Sequence, residues 1–150
     1  MAKTGGPAAV RAARVVQRIR FEARANADAR ERFAPRYLTN TLRNVSAIVA
    51  GRDVRALANA YAGVPAIVAG AGPSLDRAMG DAGAWRDRAL VIACDTAFRP
   101  LLHAGVTPHL VVGVDPGESN ARHFQWLPAL GDTWLVSESA LDRRATRLFD

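Results

Sequence analysis

Apolar and polar positions change their rhythm at Gly63. Before it the spacing is helical. Val10 to Arg32 holds neither Gly nor Pro, is rich in Ala and Arg, and carries only a narrow apolar stripe of Val15, Val16, Ile19 and Phe21. This composition predicts a peripheral helix. Pro35 is expected to interrupt it, after which Tyr37, Leu38, Thr41, Leu42 and Val45 resume a helical face as far as Gly51. Asp53 reads as the N-cap of a short helix over Val54 to Tyr61.

After Gly63 four short apolar runs appear: Pro65–Ala69, Ala89–Cys94, His109–Val114 and Thr133–Val136. They are continuous rather than alternating, the pattern of strands buried on both faces of a parallel sheet. Segments of helical composition separate them, at Ser74–Ala84, Thr96–Ala104 and Ser119–Leu130, and Leu141–Phe149 reads as one more helix. Strand alternating with helix predicts an α/β fold: an open, doubly wound, mostly parallel Rossmann-like sheet of at least four strands, behind an N-terminal helical extension. The expected divisions are a flexible tail at 1–9, a helical lead-in at 10–62 and the sheet domain at 63–150. Such sheets usually hold more than four strands, so this one is expected to be incomplete at its C-terminal side.

Composition narrows the classes. At 150 residues, 49% hydrophobic and 23% charged, the chain suits one soluble domain. No run approaches the roughly 20 apolar residues of a membrane span. Neither a secretory leader nor an organellar transit peptide fits the N-terminus. The single cysteine, Cys94, rules out an internal disulfide and suits a reducing, cytoplasmic setting. Charge is uneven. Residues 1–60 carry twelve Lys or Arg against four Asp or Glu (+8), and residues 61–150 carry eight against ten (−2). The basic front lacks the interleaved aromatics of a single-strand-binding surface, so its arginines read as a solvated face and nucleic acid is disfavoured as a partner. Trp85, Trp126 and Trp134 read as packing residues, His103 as partly buried and structural, and Cys94 as a core thiol.

Candidate chemistry sits where the apolar runs stop. Gly70-Ala71-Gly72-Pro73-Ser74 follows the first run and opens a helical segment, a turn suited to a phosphate. Leu75 stands where a dinucleotide fingerprint needs its third glycine, and no Gly-Lys-Ser/Thr is present for a P-loop. Asp95 and Thr96 end the second run, about twenty residues on, where an acid meets a ribose or a metal. Asp115 and Glu118 follow the third. Asp95, Asp115 and Glu118 are candidate oxygen ligands for Mg²⁺, and each also has a plain reading as a helix cap or turn residue. His123 is a candidate catalytic base beside Asp115.

Three of these stretches resemble one family. Pro65–Asp76, Ile92–Ala97 with Pro100-Leu101-Leu102, and Gly105–His109 leading to Val114-Asp115-Pro116 resemble the ordered motifs of the MptE-like family, and Tyr37–Asn44 is similar to the helical lead-in of its bacterial members. The resemblance implies a nucleotide-dependent transferase. One branch holds 6-hydroxymethyl-7,8-dihydropterin diphosphokinases using ATP and Mg²⁺. The other holds the Maf motility-associated glycosyltransferases, which pass a sugar from a CMP-linked donor to a protein hydroxyl. It also implies that Gly70, Gly72, Pro73 and Ser74 hold the phosphate, with Ala71 in the same turn, while Asp95 and Asp115 face the nucleotide or its metal. The implied partners are a nucleotide and a small-molecule or protein hydroxyl acceptor. The alternative from another class is a non-catalytic nucleotide-binding module that needs further chain or a partner.

Overall fold

A computed structural model describes residues 6–127 and 130–149, with Arg30 described for its backbone alone. The first helix, α1, spans Pro7–Arg43 without a break. Two expectations change here. Residues 7–9 are helical rather than part of a tail, while 1–5 lie outside the described residues. Pro35 does not interrupt; it sits inside α1. Proline forfeits one backbone bond within a helix, and the carbonyl it abandons belongs to Glu31, an exposed residue that water can serve.

The chain divides into two compact units, residues 1–35 and 36–150. In the first, α1 exposes Val15, Val16, Ile19 and Phe21, and Arg18 pairs with Glu22 one turn away at 2.7 Å. The second unit takes in the segment 36–62 together with the sheet. There α1 ends and α2 (Val45–Ala50) follows. Asp53 caps a single 3-10 turn, Val54–Leu57, by accepting from the Arg55 N–H. The helix expected to continue to Tyr61 stops there, and Asn59 takes a left-handed φ of 61°.

The four strands are β1 (Ala66–Ala69), β2 (Leu90–Cys94), β3 (Leu110–Gly113) and β4 (Trp134–Ser137). All pair in parallel, in the order β1-β2-β3-β4. The parallel α/β sheet and the helical extension agree with the sequence reading. The order runs one way, and no reversal occurs among the described strands. Right-handed crossovers between neighbours that advance in one direction all fall on the same side of a sheet.

That side is the core. Ala69, Ala93 and Val111 line it, and Leu75, Phe98, Leu101, Phe124, Leu141 and Ala145 close over them. These covering residues come from α3 (Pro73–Ala78), α5 (Asp95–His103), a 3-10 helix at Asn120–Phe124, the loop after β4 and α6 (Arg143–Thr146). The helix expected over Ser74–Ala84 is α3 followed by a 3-10 segment to Ala84 and α4 (Trp85–Arg88). The one expected over Ser119–Leu130 shrinks to the 3-10 turns at 120–124, and residues 128 and 129 of that stretch lie outside the described residues. Of the tryptophans, Trp85 packs on the core, but Trp126 and Trp134 are 85% and 63% exposed, against expectation. His103 is exposed, not partly buried.

Candidate functional site

Parallel strands deliver their carboxyl ends to one edge, and the register sets the spacing there. Ala69 pairs with Ala93, and Cys94 with Val112. Gly70, one step past β1, is therefore level with Cys94, and Asp95 is level with Gly113. Neighbouring strands stand about 4.8 Å apart, so the Gly70–Ser74 turn, Asp95 and Asp115 leave the sheet side by side, with Asp95 between the other two.

The turn is built from backbone. Gly72 N–H donates to Gly70 O at 2.8 Å, and Leu75 N–H to Gly72 O at 2.9 Å. Pro73 starts α3, where its missing N–H costs no helical bond. Gly72 has φ −100° and ψ 169°, a conformation open to any residue. A Cβ on Gly70 would meet nothing within 4 Å, and one on Gly72 only Ser74 Oγ at 3.8 Å. The fold does not require glycine at either place. What the two glycines leave is bare backbone facing open space.

Asp95 opens α5, and both of its carboxylate oxygens are engaged. Oδ1 accepts from the Thr96 N–H at 2.6 Å, and Oδ2 from the Asn120 side-chain amide at 2.9 Å. Asp115 is exposed, and its Oδ1 accepts from the Gly117 N–H at 2.7 Å, closing a tight turn over Pro116. A Cβ on Gly117 would come within 2.8 Å of that oxygen, so a larger residue there displaces the Asp115 carboxylate from its bond. Asn120, 6% exposed, joins the two acids: its amide also reaches Asp115 O at 3.4 Å. The sequence reading missed Asn120. Its only signal was a short amide at the end of the Asp115–Asn120 turn.

Two expected partners go elsewhere. Glu118 turns to Arg144 at 3.1 Å, and Arg144 also grips Asp142 at 2.9 Å. That contact holds the Asp142 carboxyl below its ordinary range and pushes the guanidinium up. His123 is half-buried on the 3-10 helix, and among the described residues no hydrogen bond joins it to Asp115. Among the described residues no three His, Cys, Asp or Glu side chains converge as metal ligands. The structure does not bring Asp95, Asp115 and Glu118 together: each Asp95 oxygen accepts from an amide and Glu118 pairs with Arg144. His109 has a structural task, its Nδ1 accepting from Val91 N–H at 3.0 Å.

The surface grooves lie at the other end of the sheet. One is lined by Arg86, Asp87, Gly105, Thr107 and Asp132, the other by Ile67, Asp81, Trp85 and Arg88. Neither includes a residue of the carboxyl edge. Arg86 is already committed there, to Asp132 and to Thr107 O.

The family described as 6-hydroxymethylpterin diphosphokinase MptE-like matches residues 39–150, which include the whole sheet and every residue of this edge. The chain belongs to the MptE-like family. An uncharacterized protein of Treponema pallidum (strain Nichols) is 37% identical to it over 68 residues, 45% of this chain and 32% of that one. Among solved structures, the Maf glycosyltransferase from Magnetospirillum magneticum AMB-1 is similar at 28% identity and a TM-score of 0.50, over 60% of this chain and 15% of the glycosyltransferase. This MptE-like chain therefore spans about a third of the Treponema protein and a far smaller share of the glycosyltransferase. Family and neighbour together support a transferase-like role. No helix among the described residues is long and apolar enough to cross a membrane.

Proposed function

We propose that this chain is the nucleotide-binding part of a nucleotide-dependent transferase, and that the Gly70–Ser74 turn receives the phosphate of the donor. The observation that carries the reading is the pair of glycines that the fold does not need. Within the turn Gly72 N–H and Leu75 N–H are spent on internal bonds and Pro73 has none, which leaves the N–H groups of Ala71 and Ser74 for an anion, and a side chain at Gly70 or Gly72 would crowd its approach. Ser74 adds an exposed hydroxyl. Asp95 and Thr96, on the adjacent strand end, face the nucleoside side of the donor.

Of the two transfer chemistries, the likeness to the Maf glycosyltransferase favours glycosyl transfer, for which the family resemblance implies a CMP-linked sugar. There the turn stabilises negative charge as the CMP phosphate leaves. In this reading the Asp115 oxygen not held by Gly117 takes the proton of an acceptor hydroxyl, with His123 on the neighbouring 3-10 helix as the second base. The family description favours the other donor, ATP, with a pterin hydroxyl as acceptor. In both cases the same turn meets the phosphate, and Mg²⁺ has no step in this account.

Calorimetry with CMP and with ATP, with and without Mg²⁺, tests it. The wild-type chain binds one of them. Gly72→Ala leaves the melting temperature within about 2 °C, because its Cβ meets only Ser74 Oγ at 3.8 Å, and weakens binding at least tenfold. Equal affinity in Gly72→Ala and wild type would place the phosphate elsewhere. Binding without transfer to any hydroxyl acceptor would favour the non-catalytic module.

A further inference from the structure

We propose that Asn40, far from the edge in sequence, is a positioning residue for the carboxyl-edge site, acting through the turn that carries Asp115. The proposal rests on reading that edge as the nucleotide site. Asn40 lies in the last turn of α1 and Asn44 at its junction with α2, 6% and 2% exposed. Asparagine is a weak helix former and favours caps and turns; Asn44 sits where it is favoured, but Asn40, inside the helix, calls for a tertiary reason. Its amide supplies one, and the Asn44 amide gives a comparison. Asn40 Nδ2 donates to Pro116 O at 3.1 Å and to Ala140 O at 3.0 Å. Asn44 Nδ2 donates to Ser139 O at 2.9 Å and to Leu141 O at 2.7 Å.

The two amides do different things. The Asn44 amide stays within one loop, the one after β4, and its Oδ1 accepts from Thr146 Oγ1 of α6 at 3.4 Å. Asn40 bridges two loops, tying the one after β4 to the one after β3. The carbonyl it takes in the β3 loop belongs to Pro116, the residue covalently joined to Asp115. From there the connection is continuous: Asp115 Oδ1 is fixed by the Gly117 N–H, Gly117 O accepts from the Asn120 N–H at 3.0 Å, and the Asn120 amide holds Asp95. Asn40 thereby sets where Asp115 stands and, through Asn120, where Asp95 stands. Asn44 has no such line to either acid.

The test compares Asn40→Ala with Asn44→Ala in the ¹⁵N-labelled chain. Each leaves two carbonyls without their amide donor, so both lower the melting temperature. Only Asn40→Ala moves the Gly117 amide and Asn120 side-chain resonances, and only it weakens binding of CMP or ATP, by tenfold or more; Asn44→Ala stays within twofold of wild type. Should Asn40→Ala fail to fold, Asn40→Ser keeps one donor and shows the same resonance shifts with about threefold weaker binding. Wild-type affinity in the folded Asn40 variant, or equal losses in the Asn40 and Asn44 variants, would overturn the proposal. A wild-type chain that binds neither nucleotide would sink the functional reading, and the Gly117 and Asn120 resonances would still decide whether Asn40 sets the turn.

Discussion

The two faces of the sheet carry the same kind of residue and meet different surroundings. On one face Ala69, Ala93 and Val111 lie under α3, α5, α6 and the 120–124 turns, with Phe98 and Leu101 fully buried against them. On the other, the cross-strand row Val68, Ile92, Leu110 and Trp134 follows from the strand register. The outer strands bare this face, Val68 at 69% and Trp134 at 63% exposed, while toward the middle Ile92, Val112 and Val136 are half-buried and Leu90 and Leu110 are buried. Continuous apolar runs in a sequence describe a sheet made for burial on both faces. They do not tell which face a given stretch of chain covers. The crossovers decide that, and four strands advancing one way cover a single face.

The contrast gives graded consequences. The largest belongs to Phe98, whose ring packs at centroid distances of 6.0 and 6.1 Å from Phe124 and Phe149. Phe98→Ala should cost about 3–5 kcal/mol in urea unfolding. A loss under about 1 kcal/mol would mean that the covered face is not the core. Next is Gly113, at the covered end of β3. A Cβ there comes within 3.1 Å of both Leu141 methyl carbons, so Gly113→Ala should cost about 1–3 kcal/mol by overpacking. At Gly70, where a Cβ meets nothing, the same change should leave unfolding nearly unaltered.

Asp142 gives a smaller, pH-dependent effect. Its folded pKa lies below the ordinary 3.8 because Arg144 binds its side chain. A carboxyl with a depressed folded pKa adds stability above its unfolded pKa and loses it as pH falls through the folded value. Asp142→Asn should therefore cost up to about 1 kcal/mol at pH 7, in keeping with a partly exposed pair, and the gap should close as pH drops below 3.8. A gap that persists at pH 2 would assign the effect to packing. Smallest is the open face: Val68→Thr should change stability by no more than about 0.5 kcal/mol. A cost near that of Gly113→Ala would erase the difference between the faces.

Much of this was legible before the structure. Four apolar runs, three of them followed at once by Gly or Asp, are local signals, and they located the strands and the carboxyl edge. Helix continuity through Pro35 was not legible, because proline's cost falls where the freed carbonyl is exposed, and exposure is a tertiary fact. The exposure of Trp126 and Trp134 was hidden for the same reason. At the edge, Gly70, Gly72, Asp95 and Asp115 stood out by residue type and spacing. Asn120 and the Asn40–Asn44 pair did not, since their partners are carbonyls that any residue carries. The pairing of Glu118 with Arg144 was hidden too, since Arg144 lies far along the chain.

The central claim is that donor phosphate meets bare backbone at the Gly70–Ser74 turn. Titrating the ¹⁵N-labelled chain with CMP and with ATP tests it most directly. Saturable shifts of the Gly70, Ala71, Gly72, Ser74 and Thr96 amides are expected with the one nucleotide that binds, while the Arg86 and Asp132 amides of the opposite groove stay in place. Shifts confined to that groove, or none at millimolar nucleotide, would contradict it.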